Sequence, residues 1–221
     1  MATKHTEAQR QALAMLGTMA EMQDQHNRHV HSLWREQGYA YYRAVWVECA
    51  ELLDHFGWKW WKHQRPDLDQ VKLEVVDIWH FGLSDLLRTD ALGDDVATAL
   101  RTVADAPQGS DEAEQGERFR LAVEELARQT LVTRAFATDA FVEVLRTLPL
   151  PLPELFRLYV GKNVLNNFRQ DHGYKTGEYR KVWSGREDNQ HLVEILAGLS
   201  CDPDDVPAQL YAGLRQRYAG A

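Results

Sequence analysis

Cysteine is nearly absent. Cys49 and Cys201 are the only two in 221 residues, too few and too far apart for a disulfide framework. Both read as free thiols, which suits a reducing compartment. Long apolar runs are missing too. None approaches the ~20 residues a bilayer crossing needs, and the opening MATKHTEAQRQALAML has no secretory apolar core. A soluble, cytoplasmic protein with no membrane partner is therefore expected. Positive charge is in deficit: 25 Lys and Arg face 33 Asp and Glu, a net −8, so the chain does not suit a nucleic-acid polymer as partner. No glycine-rich phosphate loop, internal repeat or strand-like alternation occurs along it. What remains is helical periodicity, in a chain long enough for one good-sized domain. Tryptophan is the exception to scarcity, with Trp34, Trp46, Trp58, Trp60, Trp61 and Trp79 crowded into one third of the sequence.

That third holds the chemistry. Between Val45 and Leu86 the chain carries Glu48 and Glu51 in ECAEL, then Glu74 and Asp77 in LEVVDIW. Each pair is spaced by three residues and so shares a helix face. Apolar residues surround both pairs (Val45, Cys49 and Leu52; Leu73, Val76 and Ile78), so some of the acids are expected below the surface. Two such helices packed together can aim four carboxylates at one spot. Converging carboxylates repel one another and lose hydration, and a hard divalent cation resolves that conflict. All-oxygen ligation suits Mg²⁺ or Mn²⁺ better than Zn²⁺. A single E-x-x-E on a helix is ordinarily solvated surface; two pairs inside apolar helices favour a metal site.

Upstream, Ala8, Ala12, Met15, Leu16, Met19 and Met22 recur at helical steps from Thr6 to about Trp34. Gln23 and Asn27 follow on one face. Two amides can read a base edge, but on a lone helix they are more often solvated, and His26, His29 and His31 read as surface residues. The first acidic helix is expected to end near Gly57. The connector WKWWKHQRPD then offers either aromatic plugs for the core or a stacking surface for a base. Pro66 and Asp67 suit the start of the second acidic helix, which runs to about Leu87. From Thr89 to Glu117 acidic residues face only Arg101, and APQGS is loop-like, so the segment reads as a peripheral insertion. Helical periodicity returns at 119–131 and 135–145 and breaks at LPLPLP, residues 148–153.

A second informative stretch follows, LFRLYVGKNVLNNFRQDHGYKTGEYRKVWSGREDN. Six basic residues between Arg157 and Lys181 face only Asp171 and Glu178, a reversal in an acidic chain. Lys162, Asn166 and Arg169 share one helix face, and His172–Lys175 reads as a turn. Alone, this is a basic helix packed on an acidic surface. Beside an acid–metal cluster it favours binding a polyphosphate, whose charge needs neutralising from more than one side. Gln190–Leu199 and Val206–Tyr218 read as closing helices.

The motifs E-C-A-E-L, W-K-x-W and E-x-x-D-I-W-H-F, with G-K-N-V-L-N-x-F-R-Q-x-x-G-Y-K and W-x-G-x-E-D-N, resemble the dimeric all-α dUTP diphosphatases, within the MazG-like all-α nucleoside-triphosphate pyrophosphatases. The likeness covers about 15–88 and 154–193. Its acidic half is shared by the whole superfamily; its GKNVLN–FRQ–GYK half is specific to the dUTPase branch. The resemblance implies an all-α multi-helix bundle with a smaller mobile helical part. Extended over the whole chain, it implies one catalytic domain over 1–221; core helices are expected at about 6–88 and 152–221, with the acidic stretch in a peripheral segment at about 89–151. It implies Mg²⁺, with Mn²⁺ as a substitute, held by Glu48, Glu51, Glu74 and Asp77, with Glu48 or Glu51 also orienting the attacking water. Gln23 and Asn27 correspond to uracil-reading amides, Trp61 to a base-pocket aromatic, His80 and Phe81 to positions near the sugar, and Lys162, Asn166, Arg169, Tyr174 and Lys175 to the phosphate-closing motif. The chain departs from the pattern at His26, where an apolar residue commonly precedes the amide Asn27, and the acidic 90–117 stretch matches nothing in it. The implied activity is hydrolysis of dUTP, and of dUDP, to dUMP by a homodimer, which keeps uracil out of DNA. A broader pyrophosphohydrolase acting on dCTP or non-standard nucleotides and a non-catalytic helical binding protein are the alternatives.

Overall fold

Thr6 opens the first helix through a reciprocal cap: its hydroxyl accepts from the Gln9 amide at 3.3 Å, while the Gln9 side chain accepts from the Thr6 amide at 2.8 Å. The computed structural model describes residues 6–104, 112–200 and 205–220, so Cys201, Asp105 and Asp111 lie outside the described residues. Nine α-helices are found among them: α1 (Glu7–Val30), α2 (Tyr41–Phe56), α3 (Leu68–Arg88), α4 (Asp94–Leu100), α5 (Glu112–Thr133), α6 (Thr138–Thr147), α7 (Leu152–Asp171), α8 (Asp188–Gly198) and α9 (Val206–Ala219). The fold is all-α, as expected. No described helix is long and apolar enough to cross a membrane.

The chain divides into two compact units, Met1–Phe156 and Arg157–Ala221. In the first, α2 packs on α3 and α5, α1 packs on α3 and α4, and α5 packs on α6. Helix α2 stops at Gly57, whose φ of +91° is left-handed and strained for any residue with a Cβ. Asp67 starts α3 by accepting from the Gln70 amide at 3.2 Å. Helix α3 is buried on most sides; between Val71 and Leu86 only Lys72, Asp77 and Phe81 are partly open to solvent. Trp79 lies at its centre, stacked on Phe141 with ring centroids 5.2 Å apart and tilted against Phe136.

The segment expected at the periphery supplies much of this core. Phe119, Val123, Leu126, Phe141, Val144 and Leu145 are all buried. Acidic residues colour only the outer side of α4 and α5, and a charge count hides the apolar side. The turn before α6 is tied to α3 by the buried carboxylate of Asp85, which accepts from the Phe136 amide at 2.9 Å and from Arg88 at 2.6 Å.

In the second unit, strands β1 (Val182–Trp183) and β2 (Arg186–Glu187) form a small antiparallel hairpin where no strand was expected. Ser184 and Gly185 turn it, both with positive φ, as a two-residue hairpin turn requires. Strands of two residues are too short to display alternation. Phe168 of α7 sits among His172, Trp183, Tyr211 and Tyr218, with the His172 ring stacked on it at 3.9 Å.

A Cβ on Gly82 would come within 2.6 Å of the Phe136 ring, which is itself held against Trp79 and Phe141. Gly82→Ala is expected to lower stability by ~1–3 kcal/mol, the range for overpacking. Gly17→Ala, in the exposed middle of α1 with nothing within 4 Å, is expected to raise it by ~0.4–1 kcal/mol. Denaturant midpoints of the two variants measure the contrast.

Candidate active site

The pairing of α2 with α3 brings ligand oxygens of Glu48, Glu74 and Asp77 within 4.8 Å of one another. Glu74 is buried; Glu48 and Asp77 are partly so. Glu51 is exposed and lies outside this group, yet its charge still acts on Glu48. Burial pushes the Glu48 carboxyl up to about 9, helped by the charge of Asp77, by a hydrogen bond with Glu74 and by the charges of Glu74 and Glu51. Glu48 thus holds a proton at neutral pH when no cation is present. The donors are carboxylate oxygens, hard ligands of the kind a divalent cation takes, and a cation would remove the repulsion that keeps Glu48 protonated. The residues fit such an ion. One neighbour escaped the sequence reading: His55 Nε2 lies 3.6 Å from Glu74 Oε1. The available signal was its spacing, four residues from Glu51 and seven from Glu48, on the same side of α2.

Gln23 and Asn27 are buried, not solvated. Gln23 donates to Asn27 Oδ1 at 3.0 Å, and Asn27 donates to Ser84 Oγ at 2.9 Å. Ser84 donates in turn to the His80 carbonyl at 2.9 Å. His80 Nδ1 lies 2.6 Å from Gln23 Oε1; because that oxygen can only accept, Nδ1 carries the proton. The amides and His80 of the sequence reading therefore share one network with Ser84, which was not foreseen but sits one turn beyond His80. His29 is exposed, while His26 and His31 are partly buried.

The tryptophan connector does not plug the core: Trp60 is 90% exposed and Trp58 and Trp61 about half so. Trp61 meets Trp58 and Trp60 edge-on, with centroids 5.2 and 5.4 Å away. Gln64 shapes the loop by accepting from the backbone amides of Trp58 and Lys59. These residues line a cleft of about 640 Å³ with Lys62 and, from α5, Arg120. Phe81 is partly buried.

In the second unit the basic motif is engaged internally. Lys162 is buried and donates to Asn189 Oδ1 at 2.9 Å. Arg169 forms a two-pronged pair with Asp188, at 2.8 and 2.9 Å, and also donates to Asn166 Oδ1 at 3.2 Å. The Tyr179 hydroxyl donates to Asp188 at 2.8 Å. Burial alone would raise the Asp188 carboxyl, but Arg169, Tyr179 and Lys162 together hold it below its ordinary value. Tyr174 and Lys175 lie exposed in the turn after α7. Asp188, Asn189 and Tyr179 were not among the expected site residues, although EDN belongs to the motif.

The first unit is thus an all-helical frame that gathers three acids at the junction of two helices. A family model described as dUTPase matches residues 15–174, and the chain belongs to this all-α dUTPase family. It is accordingly a hydrolase with dUTP diphosphatase activity. No curated protein matches the chain.

The Glu48 shift has a consequence for stability. Its folded value, about 9, exceeds the unfolded 4.5, so the folded metal-free protein holds an extra proton between those limits. The associated stability is complete below 4.5 and declines as pH rises toward 9. In EDTA, the Tm of the wild type is expected to fall across this window more steeply than that of Glu48→Gln, as thermal melts at a series of pH values measure.

Proposed function

We propose that the chain hydrolyses dUTP to dUMP and pyrophosphate, and dUDP to dUMP and phosphate, with Mg²⁺ held by Glu48, Glu74 and Asp77 and completed by Glu51; Mn²⁺ would substitute. The convergence of three carboxylates within 4.8 Å carries this reading. A bound divalent ion would supply charge neutralisation on phosphate oxygens and a more acidic water. The protein's own part is positioning. Glu51, open to solvent at the edge of the group, is the better placed of the α2 acids to orient an attacking water, because Glu48 faces Glu74. Gln23 and Asn27 supply donor and acceptor for the uracil edge, which cytosine presents with opposite polarity. Trp61 offers its exposed face for stacking, and His80 and Phe81 lie toward the sugar, Phe81 and Trp61 packing against C2′. Tyr174 and Lys175 are the exposed members of the phosphate motif; Lys162, Asn166 and Arg169 complete it while holding its turn. The whole chain acts as one catalytic domain of a cytoplasmic homodimer.

Pyrophosphate release from dUTP, dCTP, dTTP and UTP at equal concentration, with Mg²⁺ and with EDTA, tests the reading. Release from dUTP alone, abolished by EDTA, is expected. Release across several substrates would move the enzyme to broad specificity, and silence on all would remove the catalytic site. In the same assay, Glu51→Gln is expected to lose ~100-fold or more of the rate, the scale of a general base, with an unchanged helical spectrum.

The dimer is checked separately. Light scattering is expected to give about twice the chain mass of 25.4 kDa; the chain mass itself would count against self-association.

A further inference from the structure

We propose that His55 is a positioning residue for the metal centre: its imidazole orients the Glu74 carboxylate toward the bound cation without ligating the ion itself. This rests on the carboxylate reading above. Glu74 is 5% exposed on α3, and from α2 its carboxylate faces both Glu48, a fellow member of the acid group, and His55. Nε2 of His55 stands 3.6 Å from Oε1 of Glu74. That is longer than a formed hydrogen bond, and a small rotation of the half-open ring brings an Nε2–H into donating range.

The ring is borne on a fixed backbone. The His55 carbonyl accepts from the Asp67 amide at 3.0 Å, and the Gly57 amide closes on Leu53 at 2.9 Å. Phe56, the next residue, is buried against Phe119 with centroids 4.6 Å apart. The end of α2 and the start of α3 are thereby joined, and the His55–Glu74 spacing is set by the fold. Among the described residues, His55 belongs to no group of three or more acids, histidines and cysteines whose ligand atoms all lie within 4.8 Å, whereas Glu48, Glu74 and Asp77 form one. A partner of one ligand, placed outside the ligand group, is the arrangement that fixes a ligand's direction.

The test uses Mn²⁺ as the probe on the full-length protein. His55→Ala is expected to raise the Kd for Mn²⁺, by isothermal titration, ~10–100-fold, the range for loss of an outer partner. His55→Gln, whose side-chain amide donates from nearly the same place, is expected to recover most of the affinity. Both variants are expected to keep the metal-free Tm of the wild type. A His55→Ala Kd within twofold of the wild type would overturn the proposal, as would a lowered metal-free Tm with an unchanged Kd, which marks a purely structural residue. A nitrogen hyperfine coupling on bound Mn²⁺ in the wild type, absent from His55→Ala, would overturn it by making His55 a ligand. Failure of the wild type to bind Mn²⁺ at all would overturn the carboxylate centre, and this inference with it.

Discussion

Mutual repulsion among Glu48, Glu74 and Asp77 is the constraint that the first unit is built to withstand. Charges so close, and partly withdrawn from water, would separate if their helices were free to part. They are not free. Helix α3 is buried on nearly every side, α5 covers α2, and the α2–α3 junction is closed by the Asp67-to-His55 backbone bond. The conflict is relieved chemically instead, by a proton on Glu48. A cation that binds there must displace that proton, so its affinity rises with pH, and by mass action it stabilises the fold that holds the acids together.

The two acidic helices were legible because their signal is doubly periodic: apolar residues at helical steps and acids at intervals of three. Rotation explains what was not legible. Residues three apart differ by about 60° around a helix, so when Glu48 points inward its partner Glu51 stands at the rim. The buried amides were closer to view than a lone-helix reading allowed. Ala12, Leu16, Met19, Gln23 and Asn27 continue one stripe at steps of three and four, and all five are buried. Polarity drew them to the surface in the sequence reading; position placed them inside. Between Thr89 and Glu117 the counted acids outweighed Val96, Ala97, Leu100 and Val103, all of them buried.

Charge counting also failed to show what the basic stretch spends its charge on. Six cations against two anions between Arg157 and Lys181 read as an available surface, but the answering anion, Asp188, stands seven residues further on. A buried, two-pronged pair of this kind is costly to break from one side, ~3–5 kcal/mol, because the remaining charge is stranded. Arg169 is therefore held in one orientation. Lys162 is held by Asn189 and Asn166 by Arg169, whose backbone carbonyl accepts from the Tyr174 amide at the start of the turn that carries Tyr174 and Lys175. In the proposed phosphate role, that anchoring would lower the conformational cost of presenting Tyr174 and Lys175.

In the proposed base site, the amide network would impose a comparable discipline on base selection. Gln23, Asn27, His80 and Ser84 are already hydrogen-bonded to one another, so a base edge entering the proposed site would have to exchange hydrogen bonds with them. An exchange of that sort gains little from the number of bonds and loses heavily from a mismatched one, because a buried donor facing a donor carries its full desolvation penalty, ~1–3 kcal/mol. The Gln23 oxygen faces His80 Nδ1 while Gln23 Nε2 donates to Asn27, so the bonds run in one direction along the chain. On the proposed reading, selection of uracil over cytosine would follow less from attraction to uracil than from a network whose directions are fixed before any base arrives.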